Sequence, residues 1–163
     1  MPTRILDHRR ISLIVERFAV SAREFIPSHL SLVIVGIEPQ GLLLARLVSA
    51  AYAKRFGPTI PVLSLSLPKR QPTLQAVRAP EVSLVEGKAV LLADDVLNSG
   101  RTMAFALAYI LQYAPALVKT AVLIDRDHKE FPIAADFCGL RLATSLEDHV
   151  RVELQSTYGA WLE

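Results

Sequence analysis

Thirteen consecutive residues near the middle of the chain read Val90-Leu91-Leu92-Ala93-Asp94-Asp95-Val96-Leu97-Asn98-Ser99-Gly100-Arg101-Thr102. Residues 90–93 are all apolar, which predicts a buried parallel strand. Beyond Thr102 apolar residues recur at helical spacing, and they are Met103, Phe105, Ala106, Leu107, Ile110 and Leu111. The polar segment between these two patterns therefore follows the carboxyl end of a strand and opens a helix.

This turn has the residue types of a site for a sugar phosphate. The free N–H groups of a helix start hold phosphate with help from the helix dipole, and Ser99, Gly100 and Thr102 add hydroxyl donors and close backbone approach. Asp94 and Asp95 are placed to accept hydrogen bonds from ribose hydroxyls. Because carboxylates repel a bare phosphate, the combination favours a sugar phosphate with Mg²⁺. The alternative is an exposed helix N-terminus after an ordinary Ser-Gly turn.

Composition agrees with one compact α/β domain. The 163 residues are 52% apolar, which predicts a single domain over residues 1–163 with a substantial core. The net charge of +2 gives no global reason to expect nucleic acid or an anionic membrane. The one cysteine, Cys138, predicts a buried, inert thiol in a reducing cytoplasm. No transmembrane run or secretory segment is found, and neither a Walker loop nor a G-x-G-x-x-G fingerprint is present.

Helical and strand patterns alternate along the chain. Helices are predicted over residues 9–26, 41–55 and 102–113, and strands over 32–36, 61–67, 90–93 and 118–124. The first helix has an apolar face of Ile11, Ile14, Val15, Phe18, Ala19 and Ala22. These βαβ units predict a doubly wound, mostly parallel sheet with its ligand at the carboxyl ends of the strands. After Asp125 the periodicity fails, so we expect residues 136–143 in a small hood and 150–162 in a C-terminal edge hairpin.

Residues 90–102 resemble the phosphoribosyl-diphosphate motif of the type I phosphoribosyltransferases. A second segment, Ala121 to Gly139 followed by Thr144-Ser145, looks like the part after the fourth strand in one branch of that family. That branch comprises the bifunctional pyrimidine-operon attenuators and uracil phosphoribosyltransferases, and the Asp-Arg-x-His-x-Glu-x-Pro-Ile pattern from Asp125 to Ile133 is specific for it. The segments Ile5-Leu6-Asp7 and Val35-Gly36-Ile37 also have counterparts there, so the resemblance covers most of the chain.

The resemblance implies magnesium-dependent transfer of ribose 5-phosphate from phosphoribosyl diphosphate to uracil or a related pyrimidine. Asp94 and Asp95 would be the catalytic residues that hold the ribose hydroxyls. The residues that would bind the 5-phosphate are Asn98, Ser99, Gly100, Arg101 and Thr102. The residues that would border the base are Asp125, Arg126, Ile133, Ala135 and Phe137. Core packing is an equal alternative for Ile133 and Phe137, and a surface salt-bridge cluster with His128 is an alternative for Asp125 and Arg126.

The loop that grips diphosphate in this family departs from the usual pattern. It normally reads Gly-Ile-Lys/Arg-Thr-Arg-Gly, whereas this chain continues from Gly36 with Ile37, Glu38, Pro39, Gln40 and Gly41. An acid and a neutral amide thus replace two cations, and a unit charge interaction at ~5 Å in an effective dielectric near 20 is worth about 3 kcal/mol. Glu38 could instead bind Mg²⁺ or face solvent, and Pro39 raises the chance of a cis peptide. The mobile loop Ser64–Gln75 offers only Lys69 and Arg70 as cations.

RNA binding in the attenuator branch uses a basic face made by the first helix and the segment after Asp125. Arg17, His128 and Lys129 match that face, but four other positions do not, namely Glu16, Val20, Ala134 and Leu140. Because RNA affinity depends on phosphate neutralisation, these gaps argue against attenuation.

The sequence therefore predicts a cytoplasmic pyrimidine phosphoribosyltransferase that forms a homodimer and uses Mg²⁺. Its expected ligands are phosphoribosyl diphosphate and a pyrimidine base or nucleoside monophosphate, with no membrane partner. A second hypothesis is a catalytically degenerate relative that binds nucleotides as a regulatory protein. An RNA-binding attenuator is the third and least favoured hypothesis.

Overall fold

A parallel five-stranded sheet forms the centre of the computed structural model, which describes residues 1–163. The molecule has eight strands, of which β2 to β6 form this sheet. They are β1 (Thr3–Leu6), β2 (Leu32–Ile37), β3 (Val62–Leu65), β4 (Ala89–Leu97), β5 (Leu117–Asp125), β6 (Phe137–Arg141), β7 (Val150–Glu153) and β8 (Gly159–Leu162). The α-helices are α1 (His8–Phe25), α2 (Gln40–Phe56) and α3 (Arg101–Leu111), with short 3₁₀ turns at Leu74–Ala76 and Val82–Val85. The sheet order is β3-β2-β4-β5-β6, and every neighbouring pair runs parallel. The predicted fold class, a doubly wound α/β sheet, is confirmed.

Both faces of the sheet are covered because side chains alternate along each strand. On one face Ile34, Leu91 and Leu123 pack with α1 and α2. On the other face Val35 and Leu92 pack with residues of α3. A strand buried on both faces reads as a continuous apolar run, which is why residues 90–93 predicted the first part of β4, although the strand continues through Asp94 and Asp95 to Leu97.

Helix α1 follows from its cap and its apolar face. The Oδ1 atom of Asp7 accepts the N–H of Arg10 at 2.8 Å, which satisfies one of the free donors at the helix start. The helix buries Ile11, Ile14, Val15, Phe18, Ala19 and Ala22. These six residues are the face that the sequence predicted. In α3 the burial is narrower than expected, since Leu111 is 55% exposed where the helix ends.

The C-terminal part differs from the prediction in two ways. Residues 136–143 do not form a hood, because β6 pairs parallel with β5 as the fifth strand of the main sheet. Hydrogen bonds between Thr120 and Asp136 hold the start of β6, and a Cβ on Gly139 would lie 2.5 Å from the carbonyl oxygen of Leu123. The predicted hairpin of β7 and β8 is present, but it pairs with β1 in a separate antiparallel sheet of order β1-β8-β7.

The strand order places a crevice between the carboxyl ends of β2 and β4. The chain leaves β2 towards the β3 edge of the sheet, whereas from β4 it continues towards β5 and β6. In open α/β sheets, ligands bind where the winding direction reverses in this way. No helix of the molecule combines the length and apolar character needed to cross a membrane.

Candidate functional site

The loop between β4 and α3 is built for a close approach of its backbone. Gly100 precedes the first residue of α3 with φ of +86°, a left-handed conformation that glycine adopts without strain. The carbonyl oxygen of Ser99 accepts the N–H groups of Glu130 and Phe131 at 2.8 and 3.0 Å. The segment after β5 therefore fixes the loop from the side.

Several donors of this loop remain free. Ser99 Oγ accepts the N–H of Arg101 at 3.2 Å, so that donor is used. The N–H groups of Gly100, Thr102 and Met103 donate to no acceptor of the protein. Together with the positive end of the helix dipole, these groups form an arrangement that suits an anion.

The two predicted catalytic acids lie at the same end of β4. The structure brings Asp94 together with residues 98–102 around a cavity of about 400 Å³, which Lys69, Glu130 and three apolar residues also line. Asp94 is buried, and its Oδ1 accepts the N–H of Asp95 at 2.9 Å. Asp95 is half-buried beside it. The side chain of Lys69 reaches both acids, with Nζ 3.9 Å from Asp94 Oδ1 and 3.8 Å from Asp95 Oδ1.

Burial raises the pKa of Asp94 well above its ordinary value. The neighbouring charge of Asp95 raises it further, while the Lys69 ammonium partly opposes both effects. The close packing of α2 adds to the burial, because a Cβ on Gly41 would lie 2.9 Å from the Cα of Asp94. A carboxylate in these surroundings gains most from a ligand that brings hydroxyl donors or a cation.

The loop between β2 and α2 contains the residues expected to face diphosphate. Ile37 and Gly41 are buried, whereas Glu38 and Pro39 are exposed. The Glu38–Pro39 peptide is cis, as Pro39 suggested. Glu38 makes no ion pair with any cation of the chain. Gln40 is turned towards the C-terminal part, where its Oε1 accepts the N–H of Leu154 at 3.1 Å.

Asp125 and Arg126, at the end of β5, are both buried and do not pair with each other. Asp125 accepts from Lys129 Nζ and from the Asp127 N–H, and Arg141 lies 3.9 Å away. Burial alone would raise the pKa of Asp125, but these hydrogen bonds and charges lower it overall. Arg126 is buried and has no carboxylate within ion-pair distance, so it does not belong to a surface salt-bridge cluster, whereas Asp125 does form ion pairs, although with Lys129 and Arg141 and while buried itself.

The side chain of Arg126 links the end of β5 to the loop after β4 and to residues 144–148. Its guanidinium donates to Asn98 Oδ1 at 3.0 Å, to Thr144 Oγ1 at 2.9 Å, and to the carbonyl oxygens of Ser145 and Asp148 at 3.0 and 2.7 Å. The backbone N–H of Arg126 donates to the carbonyl oxygen of Leu97 at 3.0 Å. One residue thus joins the loop after β4 to the segment before β7.

The other residues expected near the base separate into two groups. Ile133 lies against the loop between β4 and α3, since its Cβ is 3.2 Å from the position of a Cβ on Gly100, and Ala135 packs with the core on the α3 face. Phe137 instead packs in the core on the α1 face, with ring centroids 6.3 and 6.2 Å from those of Phe18 and Phe25. Core packing is therefore the alternative that the structure shows for Phe137, because β6 turns this side chain towards α1.

Sequence reasoning missed some contacts of the site. The Arg101 guanidinium lies 5.3 Å from the ring centroid of Phe131, and the Glu130 side chain lines the cavity. The sequence identifies Lys69 only as a cation of the loop after β3 and does not predict that its side chain reaches both acids. No local pattern could have placed Lys69 there, because the loop that carries it approaches β4 only in the folded chain. Cys138 is half-buried rather than buried, and burial raises the pKa of its thiol.

Comparisons with known proteins agree with this geometry. A family model described as the phosphoribosyl transferase domain matches residues 2–157. The bifunctional protein PyrR of Chloroflexus aurantiacus is 42% identical over 135 residues, covering 78% of this chain and 74% of that protein. The bifunctional protein PyrR of Pelotomaculum thermopropionicum is 39% identical over 163 residues, covering 95% of this chain and 90% of that protein.

Solved structures are similar in fold. A hypoxanthine phosphoribosyltransferase from Staphylococcus aureus has a TM-score of 0.73 at 16% identity, covering 88% of this chain and 79% of that one. The hypoxanthine phosphoribosyltransferase of Trypanosoma cruzi has the same TM-score and identity, covering 98% of this chain and 95% of that one. With the family match and the two PyrR relatives, these findings show that the chain belongs to the phosphoribosyltransferase family, in the branch of the bifunctional PyrR proteins.

Proposed function

We propose that this protein transfers ribose 5-phosphate from phosphoribosyl diphosphate to uracil or a related pyrimidine base, with Mg²⁺. One observation carries the proposal. Asp94 and the free N–H groups of the loop after β4 line one cavity near the reversal point between β2 and β4, and Asp95 lies directly beside Asp94. An anion site beside two carboxylates fits a ligand that carries both a phosphate and hydroxyl groups.

The residues of the site would act mainly by position and charge. As diphosphate leaves, the anomeric carbon gains positive character, and fixed carboxylates nearby stabilise that charge. Asp94 and Asp95 would accept hydrogen bonds from the two ribose hydroxyls, while the N–H groups at the start of α3 hold the 5-phosphate. Both ends of the ribose phosphate would then be fixed, so its reacting carbon is presented to the base in one orientation.

The donor set also fits Mg²⁺ that arrives with its substrate. No cluster of three or more His, Cys, Asp or Glu residues could hold a metal by itself. Mg²⁺ commonly binds through one or two carboxylates together with substrate phosphates, and Asp94 and Asp95 supply such carboxylates. When bound, the metal would neutralise charge on the diphosphate. Asp95 is the better placed of the two acids, because it is less buried than Asp94.

The choice of a pyrimidine rests on the PyrR relatives and on the residues from Asp125 to Ile133. The hypoxanthine enzymes support only the fold, at 16% identity. The test is nucleotide formation from phosphoribosyl diphosphate with Mg²⁺, with uracil and hypoxanthine compared as acceptors. We expect uridine monophosphate from uracil and little product from hypoxanthine. Inosine monophosphate as the main product would refute the pyrimidine assignment, and Asp94→Asn with Asp95→Asn serves as the inactive control.

A degenerate relative that binds nucleotides without turnover is the second candidate, and the loop after β2 favours it. Glu38 is an exposed acid without a cation partner, and Gln40 is a neutral amide whose Oε1 accepts the N–H of Leu154. Neither side chain therefore supplies the positive charge that would hold diphosphate. If uridine monophosphate binds tightly in calorimetry while no nucleotide forms with any base, this second function is the right one.

We do not extend the proposal to RNA. Arg17, which could face RNA from α1, already donates to the carbonyl oxygens of Cys138 and Gly139 at 2.7 and 3.1 Å. Glu16 beside it is an exposed acid. A filter-binding experiment with a structured RNA should show only weak, strongly salt-dependent retention.

A homodimer is proposed on the apolar side chains that α1 leaves outside. Leu13 and Phe25 are 56% and 62% exposed on this helix. A second copy could cover them in a symmetric contact. Light scattering of the protein at micromolar concentration should give twice the mass of the chain.

A further inference from the structure

Arg126 is a buried cation whose hydrogen-bond partners are all neutral. The side chain is only 8% exposed, and four of its N–H groups are used by Asn98, Thr144, Ser145 and Asp148. No carboxylate oxygen lies within ion-pair distance of it. Buried charges are ordinarily paired, so an unpaired one beside an anion site suggests that its charge serves the ligand.

The contact with Asn98 fixes the orientation of the Asn98 amide. Arginine has only donors, so the group that faces it must be the carbonyl oxygen of the amide. The –NH₂ group then points away from Arg126, and it donates to no acceptor of the protein. Asn98 is exposed and lines the same cavity as the free N–H groups of the phosphate loop.

We infer that Arg126 is a positioning residue that turns the amide of Asn98 so that its –NH₂ group donates to the phosphate of the ligand. This inference rests on the proposed function, because it assigns Arg126, and one particular group of Asn98, to the same phosphate site. Without Arg126 the amide could turn either its oxygen or its nitrogen towards the anion, and the oxygen would repel it. Arg126 also ties the loop to residues 144–148, so the phosphate loop and that segment are held together.

The first test compares two variants of Asn98. Asn98→Asp keeps an oxygen for Arg126 but removes the donor, whereas Asn98→Ala removes both. If the –NH₂ group binds phosphate, Asn98→Asp should weaken uridine monophosphate at least tenfold and more than Asn98→Ala does. Because the aspartate charge itself repels phosphate, the neutral variant decides: Asn98→Ala should weaken uridine monophosphate several-fold, and unchanged affinity of Asn98→Ala would overturn the inference. Uridine, which lacks the phosphate, is the control ligand and should bind all three proteins alike.

The second test asks whether Arg126 acts through Asn98. Arg126→Lys should weaken uridine monophosphate several-fold in the wild-type background but have no further effect in Asn98→Ala, because the group that it orients is gone. Equal losses in both backgrounds would overturn the inference. Should Arg126→Lys fail to fold, the effect of Asn98→Ala on uridine monophosphate binding still decides.

Inorganic phosphate separates this inference from the proposed function. If wild-type protein binds phosphate at the loop, seen by shifts of the Thr102 and Met103 amide resonances, but does not bind uridine monophosphate, the proposed function fails. The Asn98 variants are then compared with phosphate as the probe, with the same order expected. Wild-type protein that binds neither ligand would overturn both.

Discussion

Replacing Asp94 by asparagine is expected to stabilise the free protein and to weaken its ligand binding. Asp94 is 4% exposed, and its Oδ1 accepts the Asp95 N–H at 2.9 Å, a contact that an amide oxygen can keep. The substitution removes a buried charge beside a second acid. It also removes the attraction to Lys69, whose Nζ lies 3.9 Å away.

The structure indicates which of these effects is larger. A charge pair at this distance is worth about 4 kcal/mol at an effective dielectric near 20. The Lys69 side chain is 48% exposed, however, so solvent screening reduces the attraction to about 1 kcal/mol or less. Replacing a whole buried ion pair by neutral residues is often neutral or stabilises proteins by roughly 1 to 4 kcal/mol, and here the lysine that is left behind stays half exposed and solvated. We therefore expect the free energy of unfolding of Asp94→Asn to exceed that of the wild type by about 1 kcal/mol or more at pH 8.

The gain should depend on pH in a defined direction. Burial, and then the charge of Asp95, raise the pKa of Asp94 in the folded protein. A raised folded pKa means that the acid lowers stability as pH rises from its ordinary pKa of about 4 towards the raised value. The difference between variant and wild type should thus be near zero at pH 4, grow with pH and level off. Urea denaturation at pH 4 to 8 measures it.

Ligand affinity should change in the opposite direction. One charge-assisted hydrogen bond to a ribose hydroxyl is worth about 1.5 to 3 kcal/mol, so uridine monophosphate should bind about 10- to 100-fold more weakly in calorimetry. Glu24→Gln, at an exposed position of α1, is the matched control and should change neither quantity. An Asp94→Asn variant that is less stable than the wild type at pH 8 would refute the burial argument. Unchanged affinity would show that Asp94 does not touch the ribose.

Three further predictions follow from the same site. Glu38→Lys should improve the affinity for phosphoribosyl diphosphate about fivefold, or ~1 kcal/mol at an exposed position, and should leave the affinity for uridine monophosphate unchanged in calorimetry. Equal effects on both affinities would mean that Glu38 does not face diphosphate. In urea titrations Gly100→Ala should lower the free energy of unfolding by about 1 kcal/mol more than Gly87→Ala does. Both glycines have a positive φ, but only an added Cβ at Gly100 would meet another side chain, that of Ile133 at 3.2 Å. Lys129→Met should cost about 2 kcal/mol at pH 7, since it leaves the buried carboxylate of Asp125 with only the distant Arg141 as a cation. The pKa of Asp125 is lowered, so this loss should fade as pH falls below about 4, and a loss that does not depend on pH would point to packing instead.

The parts that the sequence predicted correctly are those with local causes. The strand β4, the turn after it and the start of α3 follow one another without interruption, so their residues indicate both structure and site. The buried face of α1 was predicted residue by residue because the helical spacing of its apolar residues is a local signal. The cis peptide before Pro39 is local in the same sense.

The parts that the sequence did not predict depend on distant partners. β1 is a strand only because it pairs with β8, more than 150 residues later, as Thr3 opposite Leu162 shows. Phe137 alternates with polar neighbours in a way that fits a hood as well as a core strand, and only its packing against Phe18 and Phe25 decides. Gln40 was expected to face diphosphate, and its contact with Leu154 spans 114 positions. No spacing rule covers such a contact.

The distribution of buried charge supports the same location for function. The buried polar or charged residues are Ser49, Asp94, Thr120, Asp125 and Arg126. All three charged members lie at the carboxyl ends of β4 and β5, at one edge of a sheet whose remaining interior carries no charge. Burying charge costs stability unless each group is paired, yet Asp94 has only a half-exposed lysine and Arg126 has no acid within ion-pair distance. A sequence that keeps these charges where apolar residues would pack better has a use for them, and a sugar phosphate offers hydroxyl donors to the acid and a phosphate to the Asn98 amide that Arg126 orients.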